Sequence, residues 1–205
     1  MNLYQRQDDW HSQRIGKITA SRIKDLNAKP IKGKALNSTQ LALLAERLTG
    51  EEPPSYTTKA MQWGIDCEPL AITAYENATE AFVVTCGLVD HPSIAMSGAS
   101  PDGLIGDDGQ LEIKCPDSTT HINTLLKGDI PSEYLPQITW QLACTGRAWC
   151  DFVSFDPRMP ADLQLFVKRI TRDELPISEL EQAVIACNKL LDETIEQLTK
   201  EKDVQ

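Results

Sequence analysis

Two short segments of the sequence carry residues able to hold a divalent metal ion beside an ammonium group. Asp102 lies in the first segment, and Glu112-Ile113-Lys114 forms the second. On a β-strand, Glu112 and Lys114 point to one face and Ile113 to the other, because successive side chains alternate. Residues 106–109, Gly-Asp-Asp-Gly, indicate a hairpin turn that returns Asp102 to the side of Glu112. Two carboxylates and one lysine on one sheet face suit metal-assisted attack of water on a phosphodiester.

A simpler interpretation of these segments stays open. Asp-Gly pairs are common in turns, and Glu-x-Lys is common on solvated strand faces. A third acid, Glu68, lies on the inward-facing stripe of a helix predicted over residues 59–79. An unpaired carboxylate is unusual at such a position. Glu68 is therefore either a structural acid with satisfied hydrogen bonds or a third acidic group near the metal.

Length and composition predict a single soluble domain. The chain has 205 residues, of which 41% are hydrophobic and 24% charged, and residues 1–205 suffice for one substantial core. No apolar run approaches the ~18 residues that span a membrane, and the N-terminus lacks a signal-peptide pattern, so we expect a cytoplasmic protein. The six cysteines contain no Cys-x-x-Cys pair, which predicts reduced core thiols rather than a zinc or iron–sulfur site.

The charge of the chain is divided unevenly. Residues 1–64 carry ten Lys and Arg against six Asp and Glu, whereas residues 65–205 carry ten against 24. Seven of the basic residues fall between Arg14 and Lys34, opposed only by Asp25. This pattern is compatible with a basic groove for phosphates on an acidic body. The alternative is an ordinary solvated helix and loop.

The periodicity predicts an α/β (α+β) fold in which a central mixed sheet is flanked by helices. Thr19 or Ser21 is a predicted N-cap for a helix over 22–26, whose free N–H groups and Arg14 form an anion site. A capping box, Ser178-x-x-Glu181, is predicted to open the C-terminal helix, whose apolar stripe packs on this domain or on a neighbouring subunit. The predicted helices are 38–49, 59–79, 119–127, 134–144 and 178–201, and the predicted strands are 83–89, 94–99, 104–105, 111–115, 148–155 and 163–170.

Several motifs follow one another in order between residues 10 and 160. They are Trp10-His11-x-x-Arg14-x-Gly16-x-Ile18-Thr19-Ala20-Ser21, Trp63-Gly64-x-x-x-Glu68-Pro69, Ser100-Pro101-Asp102-Gly103, Leu111-Glu112-Ile113-Lys114-Cys115-Pro116, Tyr134-x-x-Gln137 and Phe155-Asp156-Pro157-Arg158. As an ordered set they resemble the phage lambda exonuclease family, the YqaJ-like viral recombinase nucleases. The resemblance implies a restriction-endonuclease-like core of the PD-(D/E)xK type.

The resemblance also implies roles for the acidic segment. Asp102, Glu112 and the backbone carbonyl of Ile113 would bind Mg²⁺, with Mn²⁺ as a substitute. Glu68 would reach a second metal ion or its water shell. Lys114 would orient or help to deprotonate the attacking water and offset charge in the transition state. Gln137 would hold the water or the substrate strand near Lys114.

Further positions match the parts of the family that bind DNA. Arg14, Thr19 and Ser21 would form the pocket for a 5′-phosphate. Lys59 and Met61 match a region that parts the terminal base pairs, where an apolar side chain can wedge between bases. The chain departs from the family at Ile31, which replaces an Arg that reads duplex shape. Lys32 and Lys34 are the candidates to take over its role.

The function implied is that of a Mg²⁺-dependent 5′→3′ exonuclease acting on linear double-stranded DNA with 5′-phosphorylated ends. It would leave 3′ single strands for a single-strand annealing protein in phage or prophage recombination. The family forms ring-shaped homotrimers that encircle DNA. Two alternatives stay open: an endonuclease built on the same core, and a catalytically silent module for DNA binding or partner docking.

Overall fold

The computed structural model describes residues 11–26, 28–30, 32–52 and 57–200, so Trp10 and Ile31 lie outside the described residues. None of the described helices is long and apolar enough to cross a membrane. The α-helices are α1 Ser38–Thr49, α2 Lys59–Thr79, α3 Ser118–Lys127, α4 Leu135–Thr145 and α5 Ile177–Lys200. The strands are β1 Ile18–Thr19, β2 Val83–Val84, β3 Val89–Asp90, β4 Ser97–Ala99, β5 Gly103–Ile105, β6 Gly109–Lys114, β7 Trp149–Phe155 and β8 Leu165–Thr171.

The ends of α1 and α2 follow from local hydrogen bonding and confirm the predicted limits of both helices. Asn37 and Gln40 form a capping box at the start of α1, and Gly50 ends it in the left-handed conformation. The Thr58 hydroxyl caps α2 by accepting from the Met61 amide at 3.2 Å.

The predicted capping box at Ser178 is wrong. The amide of Leu180 already donates to the carbonyl of Pro176, so helical bonding begins before Ser178 and places it inside the first turn of α5. A capping box does occur upstream, between Thr171 and Glu174, where it closes a 3₁₀ turn. The Ser178-x-x-Glu181 pattern therefore predicted the start of α5 to within one residue, but Ser178 is not the residue that caps this helix.

The larger sheet has the strand order β2-β5-β6-β7-β8 and confirms the predicted mixed sheet. Strands β6 and β7 pair in parallel, whereas the other neighbours pair antiparallel. Parallel neighbours need a long connection between them, and here α3 and α4 supply it. This connection lays α4 along the sheet face to which Glu112 and Lys114 belong.

A smaller sheet with the order β1-β4-β3 corrects the strands predicted over 83–89 and 94–99. The first prediction is split, since Val83–Val84 joins the larger sheet and Val89–Asp90 joins the smaller one. The second strand is only Ser97–Ala99. A Cβ at Gly98 would lie 2.9 Å from the carbonyl oxygen of Val89, so the close pairing of β3 and β4 requires glycine at this position.

Apolar contacts hold α4 between two layers. Ile138 and Leu142 pack with Phe152 on one face of the larger sheet. Trp140, on another side of α4, packs with a cluster formed by the N-terminal segments, α1 and α5. The apolar stripe of α5, which includes Leu191, is buried in that same cluster. The stripe therefore packs on its own chain, which resolves the alternative left open by the sequence.

Phe152→Ala is expected to lower the free energy of unfolding by about 3–5 kcal/mol, because a fully buried aromatic ring would leave a cavity under α4. Phe82→Ala removes the same atoms from a side chain that is 77% exposed and should change stability by less than ~0.5 kcal/mol. Urea denaturation of the two variants measures the difference. Equal destabilisation by both would contradict the packing described above.

Candidate active site

A tight hairpin brings Asp102 against β6. The strands β5 and β6 pair antiparallel with Gly103 opposite Leu111. The backbone N–H of Asp102 donates to the Leu111 carbonyl at 3.1 Å, and Asp102 Oδ2 accepts from the backbone N–H of Ile113 at 2.6 Å. The predicted hairpin is confirmed. It fixes the carboxyl group of Asp102 beside the residues predicted to share a metal with it.

Glu112 and Lys114 lie on the same face of β6, as their alternation predicted. Lys114 Nζ is 2.5 Å from Glu112 Oε1. It also donates to Gln137 Oε1 at 3.2 Å and lies 5.2 Å from the centre of the Tyr134 ring. Gln137, on the first turns of α4, therefore meets Lys114 as predicted from the sequence.

Gln141 also contacts this group, although no functional role was predicted for it. Its Nε2 donates to Glu112 Oε2 at 2.5 Å. Both side chains are fully buried. Gln141 follows Gln137 by one helical turn, so its side chain lies on the same face of α4. That spacing was the available signal.

The electrostatics of the site favour a bound cation. Burial and the neighbouring carboxylates of Glu112 and Glu68 raise the pKa of Asp102 well above its usual range. Burial disfavours the charge of Lys114, but Glu112 and Asp102 outweigh it and raise the pKa of the ammonium group. A positive charge is therefore stabilised among these acids, and a further cation would favour the ionised form of Asp102.

The donor set fits a hard divalent ion that keeps part of its water shell. Asp102 and Glu112 offer two carboxylates. The Oε1 atom of Glu112 lies against the Lys114 ammonium but makes no hydrogen bond of normal geometry within the described residues. The described part of the chain contains no group of three or more His, Cys, Asp or Glu placed to hold a metal ion. Mg²⁺ does not require such a group, because it commonly takes one or two carboxylates and several waters.

Glu68 acts on the site from α2. It is half-buried, and its charge contributes to the raised pKa of Asp102. Glu68 is therefore electrostatically coupled to the candidate metal site, and its role as a structural acid or as a third acidic group near the metal stays a prediction. Pro69 follows directly and cannot donate a backbone hydrogen bond within α2.

An arginine from the segment after β7 anchors α2 near this acid. The Arg158 guanidinium lies 4.2 Å from the centre of the Trp63 ring, a cation–π contact. Asp156 binds the same guanidinium through both oxygens, at 2.7 and 2.9 Å. Burial disfavours the Asp156 charge, but hydrogen bonds from Arg158 and Ser118 outweigh it and lower the pKa of Asp156 to about 2. The Phe155-Asp156-Pro157-Arg158 motif thus helps to position α2 through its contact with Trp63.

Arg14, one of the predicted phosphate-binding residues, contacts the segment that carries Asp102. Arg14 Nη1 donates to the hydroxyl of Ser100 at 3.2 Å, two residues before Asp102. Burial and the nearby charge of Arg22 lower the pKa of Arg14 to about 10. An anion bound beside Arg14 would stabilise the charged guanidinium group that burial and Arg22 disfavour. Ser100 is a contact that the sequence reasoning missed, although it opens the Ser-Pro-Asp-Gly motif.

The loop that carries Arg14 is clamped by α1. The backbone N–H of Gly16 donates to Glu46 at 2.8 Å, and its carbonyl accepts from Arg47 Nε at 2.9 Å. Gly16 has φ +69°, and a Cβ there would lie 2.8 Å from the Arg47 side chain. Glu46 is buried and also binds Arg22 through both oxygens. The loop geometry therefore requires glycine and a paired acid beneath it.

Thr19 and Ser21 lie where this loop enters a short helix. The segment Ala20–Asp25 is a 3₁₀ helix rather than the predicted α-helix over 22–26. Thr19 occupies its N-cap position, but its side chain makes no capping hydrogen bond. Thr19 Oγ1 lies 3.4 Å from Ser21 Oγ, so the two hydroxyls adjoin each other. The 3₁₀ form follows from six residues being too few for a stable α-helix without strong caps.

The other predicted DNA-binding residues are exposed. Lys32 and Lys34 lie in the loop before α1, and Lys59 begins α2. Met61 is 53% exposed, so the inward-facing stripe predicted for this helix does not include its first turn. These positions are open to solvent, but the structure does not bring them into contact with the acidic site. Their role in DNA binding stays a prediction.

Comparison with known proteins identifies the family. Residues 9–148 match the YqaJ-like viral recombinase domain. The chain belongs to the YqaJ-like viral recombinase family. A solved structure of an alkaline exonuclease from Laribacter hongkongensis, LHK-Exo, is 44% identical to this YqaJ-like protein, with a TM-score of 0.88 over 96% of this chain and 98% of that one. A complex of LHK-Exo with dAMP gives a TM-score of 0.89 at the same identity and coverage.

A more distant likeness extends to the fold alone. A phage-related exonuclease from Haemophilus somnus 129PT is 16% identical, with a TM-score of 0.67 over 89% of this chain and 96% of that one. A comparison with curated proteins finds no significant match. The family and the fold class predicted for this YqaJ-like chain are confirmed.

Asp102→Asn is expected to stabilise the metal-free protein at neutral pH. The folded-state pKa of Asp102 exceeds its unfolded value of about 3.9, so ionising it destabilises the fold as the pH rises between the two values. Below about pH 4 the carboxyl is protonated in both states, and wild type and variant should differ little. Free energies of unfolding in urea with EDTA, at acidic and neutral pH, measure the effect.

Asp107→Asn is the matched control, because Asp107 is an exposed residue of the hairpin turn. It should leave the pH dependence of stability unchanged. If Asp102→Asn destabilised the metal-free protein at neutral pH, the electrostatic conflict described here would be wrong.

Proposed function

We propose that this chain is a Mg²⁺-dependent 5′→3′ exonuclease that digests linear double-stranded DNA from 5′-phosphorylated ends. The observation that carries the proposal is the hydrogen bond from Arg14 to Ser100. It joins Arg14, a candidate phosphate-binding residue, to the segment that holds Asp102. An enzyme with its phosphate site and its metal ligands so joined is suited to bonds near a phosphorylated end.

The relatives support this proposal. Family membership supports a deoxyribonuclease, and nucleases of this family are generally dependent on divalent metals. LHK-Exo is an alkaline exonuclease with a solved dAMP complex. A 5′-mononucleotide is the product expected from exonucleolytic digestion, so the same product is proposed for this chain.

The side chains have distinct tasks in the proposed reaction. Asp102, Glu112 and the Ile113 carbonyl would hold Mg²⁺, which lowers the pKa of bound water and neutralises charge on the phosphate. The Lys114 ammonium, whose charge is favoured by Glu112 and Asp102, would orient the water or help to deprotonate it and offset negative charge developing on the phosphate oxygens. Gln137 limits the rotation of Lys114 through its 3.2 Å hydrogen bond.

The remaining predicted residues complete the proposal for DNA binding. Glu68 would act on a second ion or its water shell, with Mn²⁺ able to replace Mg²⁺. Arg14, Thr19 and Ser21 would bind the terminal phosphate. The further set would contact the duplex and separate its last base pairs: Lys32, Lys34, Lys59 and Met61.

The biological setting is proposed from the family. Residues 1–205 would form one nuclease domain that works in the cytoplasm of a bacterial host, encoded by a phage or prophage. Three copies would form a ring around the duplex, with a single-strand annealing protein receiving the 3′ strand. The uneven charge of the sequence supports a basic lumen and an acidic exterior.

Lys114→Ala is expected to lower kcat by about 100-fold or more, because the ammonium group stabilises charge in the transition state. A duplex labelled separately at each 5′ and 3′ end, incubated with Mg²⁺, measures both rate and polarity. Wild type should release label from 5′ ends first. Release from 3′ ends or cuts in a closed circle would contradict the proposal, and binding without digestion would indicate a silent module.

Arg14→Ala is expected to abolish the preference for a 5′-phosphate over a 5′-hydroxyl end. A charge-assisted hydrogen bond contributes about 2 kcal/mol, which is about a 30-fold preference in kcat/KM. Lys24→Ala removes the same charge from an exposed position of the same segment and should keep the preference. A variant of Arg14 that still distinguished the two ends would place the phosphate site elsewhere.

A further inference from the structure

One oxygen of Glu112 is held inside the protein, while the other faces the site. Oε2 accepts a hydrogen bond from Gln141 Nε2 at 2.5 Å, and neither residue has any exposed surface. Oε1 faces the Lys114 ammonium, also at 2.5 Å. The two oxygens of this carboxylate therefore have different surroundings, which is unusual for a group that could otherwise rotate.

The hydrogen bonds behind Gln141 run in one direction. A carboxylate oxygen only accepts, so the amide nitrogen of Gln141 must face Glu112 and its oxygen must point away. That oxygen accepts from Gln110 Nε2 at 3.4 Å. The oxygen of Gln110 then accepts from the Thr145 hydroxyl at 2.8 Å. Each amide thus has one permitted orientation, and a flip of either would bring two acceptors together.

The residue spacing along β6 and along α4 keeps these hydrogen-bonded pairs aligned. Gln110, Glu112 and Lys114 are alternate residues of β6, and they advance by about 6.6 Å at each step. Gln137, Gln141 and Thr145 are spaced four residues apart on α4, and they advance by about 6 Å. Because α4 runs opposite to β6, Lys114 meets Gln137, Glu112 meets Gln141, and Gln110 meets Thr145.

We propose that Gln141 is a positioning residue that holds Glu112 Oε2, so that only Oε1 is presented to the divalent ion. The proposal rests on the metal site of the proposed function and adds to it how one ligand is oriented. Binding through one oxygen suits the octahedral geometry that Mg²⁺ demands, whereas ions with larger shells readily take both oxygens of a carboxylate. Gln110 and Thr145 support the orientation of Gln141.

Gln141→Met tests the proposal, because it keeps the length of the side chain and removes the donor. We expect Mn²⁺ to bind this variant about 10-fold more weakly than wild type, the size of effect usual for partners of metal ligands. A titration with Mn²⁺, following the free ion by electron paramagnetic resonance, measures the affinity. In digestion assays the Mg²⁺ needed for half-maximal rate should rise similarly, while kcat at saturating Mg²⁺ changes less.

Thr139→Val is the matched control. Thr139 is buried on the same helix, and its hydroxyl donates to the Leu135 carbonyl of that helix rather than to the site. Both variants should unfold more easily in EDTA, but only Gln141→Met should bind Mn²⁺ more weakly. A Gln141→Met affinity within about twofold of wild type would overturn the proposal, since the expected loss is ~10-fold.

Two further variants keep the outcomes distinct. If Gln141→Met does not fold, Thr145→Val decides: it removes the outermost donor, and unchanged Mn²⁺ affinity there would overturn the proposal. Asp102→Asn tests the site itself. If wild type bound Mn²⁺ no better than Asp102→Asn, the metal site of the proposed function would fail as well. If wild type binds and Gln141→Met binds equally, only the role of Gln141 fails.

Discussion

The fully buried carboxylate of Glu112 is the group around which the centre of this protein is built. A buried charge is stable only if hydrogen bonds and an opposite charge surround it. Lys114 provides the charge from the same strand, and Gln141 provides the hydrogen bond from α4. The hydrogen bond from Gln141 depends on α4 lying along β6, and so does the contact of Lys114 with Gln137. The apolar residues Ile138 and Trp140, which fix α4 between two layers, therefore also determine the surroundings of a charge.

The acids of the site are held together against their mutual repulsion. Burial and two neighbouring carboxylates keep the pKa of Asp102 high, and one ammonium group only partly offsets them. The hairpin fixes the carboxyl group of Asp102 beside β6, and the contact of Arg158 with Trp63 holds the helix that carries Glu68. A divalent cation bound between these carboxylates would offset their mutual repulsion, so the same cluster that destabilises the metal-free protein would favour metal binding.

Local patterns predicted the hairpin of Asp102 and the limits of α1 and α2, because turn glycines, alternation and caps act within a few residues. The pattern over 83–99 failed, because its strands are two or three residues long and their partners are chosen by distant segments. The contact of Arg158 with Trp63 joins positions far apart in the chain, so spacing could not reveal it. Gln141 was within reach, since Gln137 and Gln141 share a helix face, but only the antiparallel run of α4 along β6 shows which acid it meets.

The hydrogen bond between Arg14 and Ser100 joins two segments that are far apart in the sequence. Asp102, Glu112, Lys114 and the two glutamines that contact them fall within residues 102–141, one hairpin and the helical connection that follows it, and only Glu68 comes from another segment, α2. The candidate end-binding residues fall within residues 14–21, held by α1 through Gly16. Under the proposed function, substitutions within residues 14–21 would alter which DNA ends are accepted, while the hydrolytic chemistry carried by residues 102–141 would stay unchanged.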